Sequence, residues 1–410
     1  MIADVLIVGA GPAGLAAAIE LRSLGVQRVL VADRERDAGG VPRHCAHTGY
    51  GIRDLHRVLT GPAYARRYVA TAREAGAEVL AGTTVTALGD GAHAALTSQA
   101  GIRQVTAGAV LLATGCRERP RTARLVPGDR PAGVMTTSEL QQRVYLAGQR
   151  IGGRAVVIGA EHVSFSGMLT LMHAGAQVVA LVTDRPSHQS YGVFRFAAAL
   201  RWRVPVWTST AVARIVGRER VAAVELRDLA SGRVRQVECE TVVFTGDWIP
   251  DYELSRLAGA VFDPGTKGPA VDTALRTSAP WLFAAGNLVH AGEPADVAAL
   301  SGRHAARHIA AQLRRGRPDR AGTPVPIRVT APLTWIAPNA IGAGQVMPPR
   351  GHFMIRGEAA GGRANLLVHQ DARVLGRFRL PLPRAGSGRL PAAWIRSVDP
   401  SGGPVTIAAS

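Results

Sequence analysis

A glycine-rich turn between two apolar strands, within residues 4–33, is the feature that most constrains how this chain can fold. The segment reads DVLIVGAGPAGLAAAIELRSLGVQRVLVAD, in the order strand, turn, helix and strand of a βαβ unit. Gly9 allows a tight turn, Gly11 lets the backbone approach a pyrophosphate, and Gly14 lets the helix pack closely on the strand. The N–H groups that begin the helix suit phosphate, and Asp33 ends the second strand where a carboxylate can accept ribose hydroxyls. We therefore predict a dinucleotide-binding domain.

Two later segments indicate which dinucleotide is bound. Residues 110–115 (VLLATG) and 281–287 (WLFAAGN) both read as buried strands that end in a small turn. FAD is long, so its pyrophosphate can lie on the first turn only if other segments hold the ribitol and the flavin ring. A helix predicted over 295–313 would direct its partly positive N-terminus at the pyrimidine edge of the flavin, with Asp296 in its first turn. These segments favour FAD.

Residues 152–185 repeat the order of strand, turn, helix and strand, but their glycine pattern is altered. Gly159 matches the first glycine, whereas Glu161 and Ser164 stand in place of the second and the third. A glutamate where the pyrophosphate approaches adds both bulk and like charge. Two interpretations are open: an NAD(P)H site that reduces the flavin, and a retained scaffold that binds another adenylate or nothing.

The length of 410 residues allows several domains, and 47% hydrophobic residues suffice for buried cores. We predict the α/β class, with two Rossmann-like domains, the first of them discontinuous, and a small β-rich C-terminal domain. Pro- and Gly-rich stretches mark the crossings between domains, and short apolar runs after the linker RRGRPDRAG predict strands. The predicted domains are 1–122 and 268–318 (FAD-binding), 123–267 (NAD(P)-binding-like) and 319–410 (β-rich).

Charge and cysteine content exclude several function classes. The formal net charge is +18, but the basic residues are scattered and form no stripe with aromatic residues, so we predict no nucleic-acid partner. Cys45, Cys116 and Cys239 lie far apart without metal-ligand spacing, so neither a disulfide framework nor a metal site is predicted. The apolar opening lacks a positively charged start and is interrupted by Gly-Pro-Ala-Gly, and no later stretch is long enough for a membrane span. A soluble, cytoplasmic protein is expected.

Together, the motifs GAGPAG, ATG and AAGN resemble those of the pyridine nucleotide-disulfide oxidoreductase superfamily of FAD proteins, over about residues 1–315. Three segments look like the larger flavin subunits of multi-subunit amine and amino-acid dehydrogenases, such as opine oxidase, hydrogen cyanide synthase and dye-linked proline dehydrogenase. They are residues 39–57 (GGVPRHCAHTGYGIRDLHR), 156–167 (VVIGAEHVSFSG) and 284–306 (AAGNLVHAGEPADVAALSGRHAA). The superfamily usually has Gly-Asp where this chain has Gly286-Asn287, so a charge-assisted bond to the ribitol is lost.

The resemblance implies FAD as the cofactor, NAD(P) as a further candidate, and a small amine or amino-acid substrate. It also implies a companion dehydrogenase subunit. Many relatives carry a cysteine-rich iron–sulfur module near the C-terminal end, but this tail has no cysteine, so any such centre would lie on a separate iron–sulfur subunit. Val85 falls where relatives contact adenine through the backbone. The residues expected to contact FAD are Gly9, Gly11, Pro12, Ala13, Gly14, Asp33, Arg34, Arg43, Val85, Ala113, Thr114, Gly115, Gly286, Asn287, Ala295 and Asp296.

The segment PRHCAHTGYG offers candidates for chemistry beside the flavin, because in this superfamily the loop after the second strand commonly passes the ring. His44 or His47 could take a proton from an amine or stabilise the reduced flavin, and could equally hold the loop or a subunit contact. Arg43 could bind a carboxylate or neutralise a flavin phosphate. Cys45 has no neighbouring cysteine, which argues against thiol–disulfide exchange and leaves a buried filler or a single reactive thiol.

The leading hypothesis is an FAD-dependent oxidoreductase that is one subunit of a heteromeric dehydrogenase, oxidising an amine or amino-acid-like substrate and passing electrons onward. One alternative is a self-contained NAD(P)H-dependent flavin reductase. Another is a non-catalytic nucleotide-binding scaffold subunit. In the tail, Trp335 and Trp394 fit either a core or a surface that docks a partner.

Overall fold

The fold was described from a computed structural model that covers residues 1–190, 192, 200–316, 323–358, 362–382 and 387–409. The chain forms two compact units. Unit 1 comprises Met1–Arg43, Thr48–Cys116 and Pro250–Ser410, and unit 2 comprises His44–His47 and Arg117–Ile249. The domain boundaries at 122 and 268 stay predictions, and the boundary at 318 lies outside the described residues.

The central sheet of unit 1 has the strand order β5-β2-β1-β8-β7-β6, with β19 paired to β8. The strands β1, β2, β5, β8 and β19 run parallel, whereas β6, β7 and β8 form an antiparallel meander. Val5 to Ile7 and all of β2 are buried, as expected for parallel strands that are covered on both faces. The bounds are β1 Ile2–Val8, β2 Val29–Ala32, β5 Glu78–Leu80, β6 Thr84–Gly89, β7 His93–Ser98, β8 Gly101–Leu112 and β19 Leu282–Ala284.

Helices cover this sheet. Helix α1 (Pro12–Ser23) follows β1 at once and is succeeded by Gly25, whose φ of +87° suits glycine at a helix end. Helix α2 (Gly61–Glu74) is capped by the hydroxyl of Thr60. The short strands β3 (Thr48–Tyr50) and β4 (Leu59–Thr60) pair before it, and helices α5 (Glu253–Leu257) and α6 (Ala295–Arg314) follow later in the chain.

Unit 2 contains a parallel five-stranded sheet of order β10-β17-β11-β12-β13 and an antiparallel sheet of β14, β15 and β16. Helices α3 (Thr137–Gln141) and α4 (His162–His173) accompany the parallel sheet. The strand pair β9 (Cys116–Glu118) and β18 (Trp248–Pro250) carries the chain into and out of the unit. The other bounds are β10 Val134–Thr136, β11 Arg154–Ile158, β12 Gln177–Val182, β13 Val206–Trp207, β14 Thr210–Val216, β15 Ala223–Asp228, β16 Val234–Glu238 and β17 Thr241–Phe244.

The described C-terminal residues from 323 onward are strands and short turns around a hydrophobic core of their own, and they belong to unit 1. Two sheets form there, of order β22-β20-β27-β24-β25 and β21-β23-β26. Trp335 and Trp394 are buried, at 7% and 4% exposure, so both are core residues rather than surface residues. The bounds are β20 Val325–Val329, β21 Leu333–Ala337, β22 Ala340–Ile341, β23 His352–Gly357, β24 Gly362–Gln370, β25 Arg373–Leu382, β26 Gly388–Pro391 and β27 Val405–Ala409.

The predicted α/β class, with its β-rich tail, is confirmed by this architecture. In the part of the chain that the structure describes, no helix combines the length and the apolar character needed to cross a lipid bilayer.

Candidate functional site

The three glycines of the first turn differ in what surrounds them. Gly9 has a φ of +105°, and a Cβ there would overlap the carbonyl oxygen of Ala113. A Cβ on Gly14 would overlap the carbonyl oxygen of Gly9. At Gly11 the nearest atom to an added Cβ is the Cα of Gly40, 4.0 Å away. Backbone packing therefore requires Gly9 and Gly14, whereas Gly11 borders free space.

Helix α1 begins without a protein group that neutralises its N-terminus. Gly11 is the N-cap, Pro12 is the first helical residue, and among the described residues no side chain caps this end and no acid lies in the first turn. The first backbone N–H groups of a helix have no acceptor within it, and they carry a partial positive charge. The free space above Gly11 and these donors together form a cradle suited to a pyrophosphate.

Three distant segments meet at Ala13, the second residue of α1. A Cβ on Gly286, at the end of β19, would lie 2.9 Å from the Cβ of Ala13. A Cβ on Gly302, in the middle of α6, would overlap the carbonyl oxygen of the same alanine. The amide of Gly286 in turn donates to the hydroxyl of Ser301, over 2.9 Å. The end of β19 and helix α6 are therefore held against the first turn of α1, too closely for a Cβ on Gly286 or Gly302 to fit without a shift.

Asp33 lies at the end of β2, where the sequence predicts an acceptor for ribose hydroxyls. Its carboxylate accepts the backbone N–H of Ala10 over 2.6 Å and that of Glu35 over 2.8 Å. Burial raises the pKa of Asp33, and these two hydrogen bonds oppose the increase. Each oxygen keeps a second lone pair, so Asp33 can both anchor the turn and accept a hydroxyl.

The two arginines predicted to contact FAD, Arg34 and Arg43, lie in different settings. Arg34 is largely exposed and reaches Asp251 over 3.4 Å. Arg43 is mostly buried, and its guanidinium donates to the carbonyl of Asp37 over 2.6 Å and pairs with Glu35 over 3.4 Å. Arg43 therefore fastens its own loop.

Val85 is buried in β6. The loop just before this strand is tied to the end of β2, because the N–H of Thr83 donates to the carbonyl of Asp33 over 2.8 Å. The same Thr83, with Leu80 and Arg36, lines a cavity of about 620 Å³. The predicted adenine-binding segment is thus adjacent to Asp33.

The ATG and AGN turns lie next to each other, because β8 and β19 are neighbouring parallel strands. The hydroxyl of Thr114 donates to the carbonyl of Asp251 over 2.7 Å, and Gly115 has a φ of +75°. The side-chain amide of Asn287 both donates to and accepts from the backbone of Glu293, over 3.1 Å and 3.0 Å. Asn287 therefore closes the loop that leads into α6.

Helix α6 begins at Ala295, and sequence reasoning missed an ion pair there between the buried Asp296 and the exposed Arg53. The carboxylate of Asp296, 2% exposed, accepts from the guanidinium of Arg53 over 3.0 Å and from the backbone N–H of the same residue. Asp54 beside it accepts from the hydroxyls of Tyr64 and Tyr68, each over 2.6 Å. The loop that carries Arg53 is thereby fixed at the N-terminus of α6.

The predicted residues His44 and His47 belong to unit 2, whereas the residues predicted to contact FAD belong to unit 1. His44 is buried at 3% exposure, His47 is exposed, and the thiol of Cys45 between them donates to the side-chain carbonyl of Gln141 over 3.3 Å. Cys45 is thus buried, whereas the role of the two histidines in proton transfer stays a prediction.

Unit 2 contains a buried carboxylate, Glu118, that no sequence motif singles out. Its oxygens accept the backbone N–H of Ser138 over 2.7 Å and that of Gly246 over 3.2 Å. Burial raises the pKa of Glu118 to about 7, against these hydrogen bonds, and the nearby charge of Glu161 adds to the increase. The guanidinium of Arg124 faces the same group but donates to the carbonyls of Gly246 and Thr245.

This carboxyl group predicts a pH-dependent stability. The pKa of Glu118 in the fold, about 7, exceeds its ordinary value of 4.5, so on rising pH the unfolded chain loses the proton first. We expect unit 2 to lose up to about 3 kcal/mol of stability between about pH 4.5 and pH 7, with no further loss from this group above that range. Denaturant unfolding at pH 5 and pH 7.5 measures the difference.

In Glu118→Gln the free energy of unfolding should differ less between pH 5 and pH 7.5 than it does in the wild type. Glu139→Gln, at an exposed position in α3, is the control and should keep it. An unchanged slope in the Glu118 variant would contradict the assignment.

A family model described as pyridine nucleotide-disulphide oxidoreductase matches residues 3–302. Two curated relatives are similar in sequence. The alpha subunit of sarcosine oxidase from Corynebacterium sp. (strain P-1) is 26% identical over 83% of this chain and 36% of its own length. One subunit of opine oxidase, from Agrobacterium tumefaciens (strain Ach5), is 26% identical over 76% of this chain and 66% of its own length. The chain thus spans from about a third to just under two thirds of the relatives it matches.

Among solved structures, the thioredoxin reductase of T. acidophilum superposes with a TM-score of 0.65 at 22% identity, over 76% of this chain and 99% of that one. At this identity the likeness is one of fold. The family match, residues 3–302, includes the first βαβ unit and the segments that return to it, and it ends before the β-rich tail.

Proposed function

Because the chain belongs to the pyridine nucleotide-disulphide oxidoreductase family, we propose that it is an FAD-dependent oxidoreductase and one subunit of a heteromeric dehydrogenase. In this proposal the complex oxidises an amine or amino-acid-like substrate and passes the electrons onward through FAD. Both curated relatives are named as subunits of oxidases. Sarcosine and the opines, named with those relatives, support the substrate class.

The observation that carries the proposal is the convergence of three segments on Ala13. The open cradle above Gly11, the strand end at Gly286 and the helix crossing at Gly302 are brought together by contacts that tolerate no side chain. A pyrophosphate on the turn with the rest of a long cofactor held by later segments requires this arrangement. The residues present therefore fit FAD.

The proposed contacts divide between the two halves of the cofactor. Helix α1 and its turn would hold the pyrophosphate, the end of β2 and the loop before β6 would hold the adenosine, and the turns after β8 and β19 with the start of α6 would hold the flavin half. In that order the residues are Gly9, Gly11, Pro12, Ala13 and Gly14; then Asp33, Arg34, Arg43 and Val85; then Ala113, Thr114, Gly115, Gly286, Asn287, Ala295 and Asp296.

Bound FAD would accept a hydride from the substrate. In this reaction the chain would hold and polarise the cofactor. The N-terminus of α6 carries a partial positive charge, and the guanidinium of Arg53 next to it offsets the carboxylate of Asp296. The helix N-terminus and the guanidinium of Arg53 would both stabilise negative charge that develops nearby when the flavin is reduced.

The charges around this helix end also favour an acidic substrate. The turn that holds Arg350 packs beside α6. Burial and the positive charges of Arg389 and Arg53 lower the pKa of Arg350, and the carboxylates of Asp296 and Glu293 oppose this change, so the charged groups around Arg350 form a cluster in which guanidinium groups outnumber carboxylates by one. Such a cluster suits a carboxylate, as an amino acid provides.

We propose that the chain does not reduce disulfides. No two of its three cysteines lie close together in the sequence, as a dithiol exchange pair would. Burial raises the pKa of Cys239 to about 11, so this thiol is protonated at neutral pH. The likeness to thioredoxin reductase is one of fold.

The proposal is tested on the protein purified from its native source together with the polypeptides that accompany it. We expect a flavin absorbance spectrum that is bleached anaerobically by a member of a panel of amines and amino acids. The control is the same panel added to free FAD. A complex that is colourless and takes up no FAD, or a flavin that NADH bleaches and no amine does, would contradict the proposal.

A further inference from the structure

The two βαβ units of this chain differ at the one position where a dinucleotide needs free space. In the first unit the N-cap of the helix is Gly11, which has no side chain, and no acid follows it in the first turn. In the second unit the N-cap of α4 is Glu161, with Ser164 in place of the third glycine. Both helices have twelve residues, and each follows a buried parallel strand.

The side chain of Glu161 folds back onto the turn that carries it. One carboxylate oxygen accepts the backbone N–H of Ala160 over 2.9 Å, and the other accepts the hydroxyl of Thr245 over 2.6 Å. Ser164 accepts the N–H of Glu161 over 3.2 Å, and its hydroxyl lies 2.6 Å from that of Thr245. The carboxylate and Ser164 form a reciprocal cap, so an anion of the protein itself already satisfies the start of the helix.

The carboxylate of Glu161 also fills the space next to Gly246. A Cβ on Gly246 would overlap one of the carboxylate oxygens of Glu161. A second carboxyl group, that of the buried Glu118, accepts from the N–H of the same glycine. Arg124, a cation within electrostatic reach of Glu161, donates from its guanidinium to the backbone carbonyls of Thr245 and Gly246. A pyrophosphate arriving here would meet the carboxylate of Glu161, the carboxyl group of Glu118 and an arginine whose guanidinium already donates to backbone carbonyls.

The segment after β12 covers the same turn. The N–H of Gln189 donates to the carbonyl of Ala160 over 3.0 Å, and the hydroxyl of Ser190 lies 2.6 Å from the Nδ1 of His162. The position after β12, where a carboxylate would hold a ribose, is occupied by Thr183, whose hydroxyl accepts from the N–H of Arg185. The residues present therefore do not fit NAD(P).

We propose that Glu161 occupies the pyrophosphate position of the second dinucleotide fold and closes it to NAD(P)H. It follows, on the proposed function above, that the flavin receives electrons from an organic substrate and not from a pyridine nucleotide. Glu161 is then the residue that excludes NAD(P)H as an electron donor.

The test compares NADH and NADPH binding by calorimetry in the FAD-saturated full-length chain and its variants. The wild type is expected to show no saturable binding up to about 1 mM nucleotide. Glu161→Gly, which copies the first unit, and Glu161→Ser, which removes the charge but keeps a side chain that caps helices well, should each bind at least about tenfold more tightly than the wild type. Thr136→Gly removes the cap of the neighbouring helix α3 and should not bind, which controls for general loosening.

Saturable micromolar binding by the wild type that the Glu161 substitutions leave unchanged or weaken would overturn the proposal, as would a folded Glu161→Ser variant that binds no better than the wild type. The flavin spectrum of the same samples reports separately on the first site. A chain that contains no flavin would contradict the proposed function. The calorimetric result would still decide whether Glu161 closes the second dinucleotide fold.

Discussion

Replacing Gly11 with glutamate is expected to remove the flavin absorbance of the purified chain, by raising the Kd for FAD at least about 100-fold. The added side chain would enter the space that ends at the Cα of Gly40, 4.0 Å from an added Cβ, and would place a carboxylate at the cradle. Two unit charges about 4 Å apart repel by about 4 kcal/mol near a protein surface, and about 1.4 kcal/mol is a factor of ten in affinity. Flavin absorbance per protein, and titration of the stripped chain with FAD, measure the loss.

Gly152→Glu is the matched control, because Gly152 is exposed and an added Cβ there meets nothing within 4 Å. Its flavin content should equal that of the wild type. Gly11→Ala should also stay folded, since a methyl group fits the free space. Full flavin content in Gly11→Glu would show that the pyrophosphate does not lie on this turn.

Replacing Gly302 with alanine is expected to lower the free energy of unfolding of unit 1 by about 2 to 3 kcal/mol. The new methyl group would overlap the carbonyl oxygen of Ala13, and because that atom belongs to the backbone, helices α1 and α6 would have to move apart. This cost exceeds the gain of roughly 0.5 to 1 kcal/mol that alanine brings to a helix interior. Because Ala13 belongs to the phosphate turn, flavin affinity should fall as well.

Gly167→Ala makes the same change in the middle of α4 and is the control. A Cβ there would lie 3.3 Å from the Cγ2 of the buried Thr137, a methyl group that needs to move by only a few tenths of an ångström. We expect this variant to be as stable as the wild type or slightly more so. Denaturant midpoints of the three proteins decide the matter: equal midpoints for Gly302→Ala and the wild type would mean that the helix crossing is loose.

The class of the fold could be predicted from the sequence because its signals are local. The order of apolar run, glycine turn and helix in residues 4–33 is contained in one stretch, and the structure has β1, α1 and β2 there. The same holds for the second unit, where the altered glycine pattern already indicated a retained fold with changed chemistry. The strands of the tail followed from short apolar runs between Gly and Pro.

Other features depend on partners distant in sequence and gave no local signal. Gly302 reads as an ordinary small residue in a helix until Ala13 is placed beside it. Arg53 lies in a loop, and its pairing with Asp296 joins positions that the inserted unit separates.

The side chain of Glu161 shows the same limit. Its identity predicted a poor fit for pyrophosphate, but whether it would point away or fold onto the turn depended on Thr245, which follows a strand much later in the chain. Likewise nothing in the sequence indicated the hydrogen bonds between the amide of Asn287 and the backbone of Glu293, and the contact of Asn287 with the ribitol stays a prediction.

The meeting point at Ala13 has a consequence for biosynthesis. A ribosome makes the turn at Gly11 first, yet the helix crossing is completed only at Gly302, so most of the chain must be translated before the later segments proposed to hold the flavin half reach the cradle. Until β19 is translated, the edge of β8 with which it later pairs lacks this partner strand. Coenzyme capture must therefore follow translation of helix α6, and nascent chains halted before it should leave the ribosome without FAD.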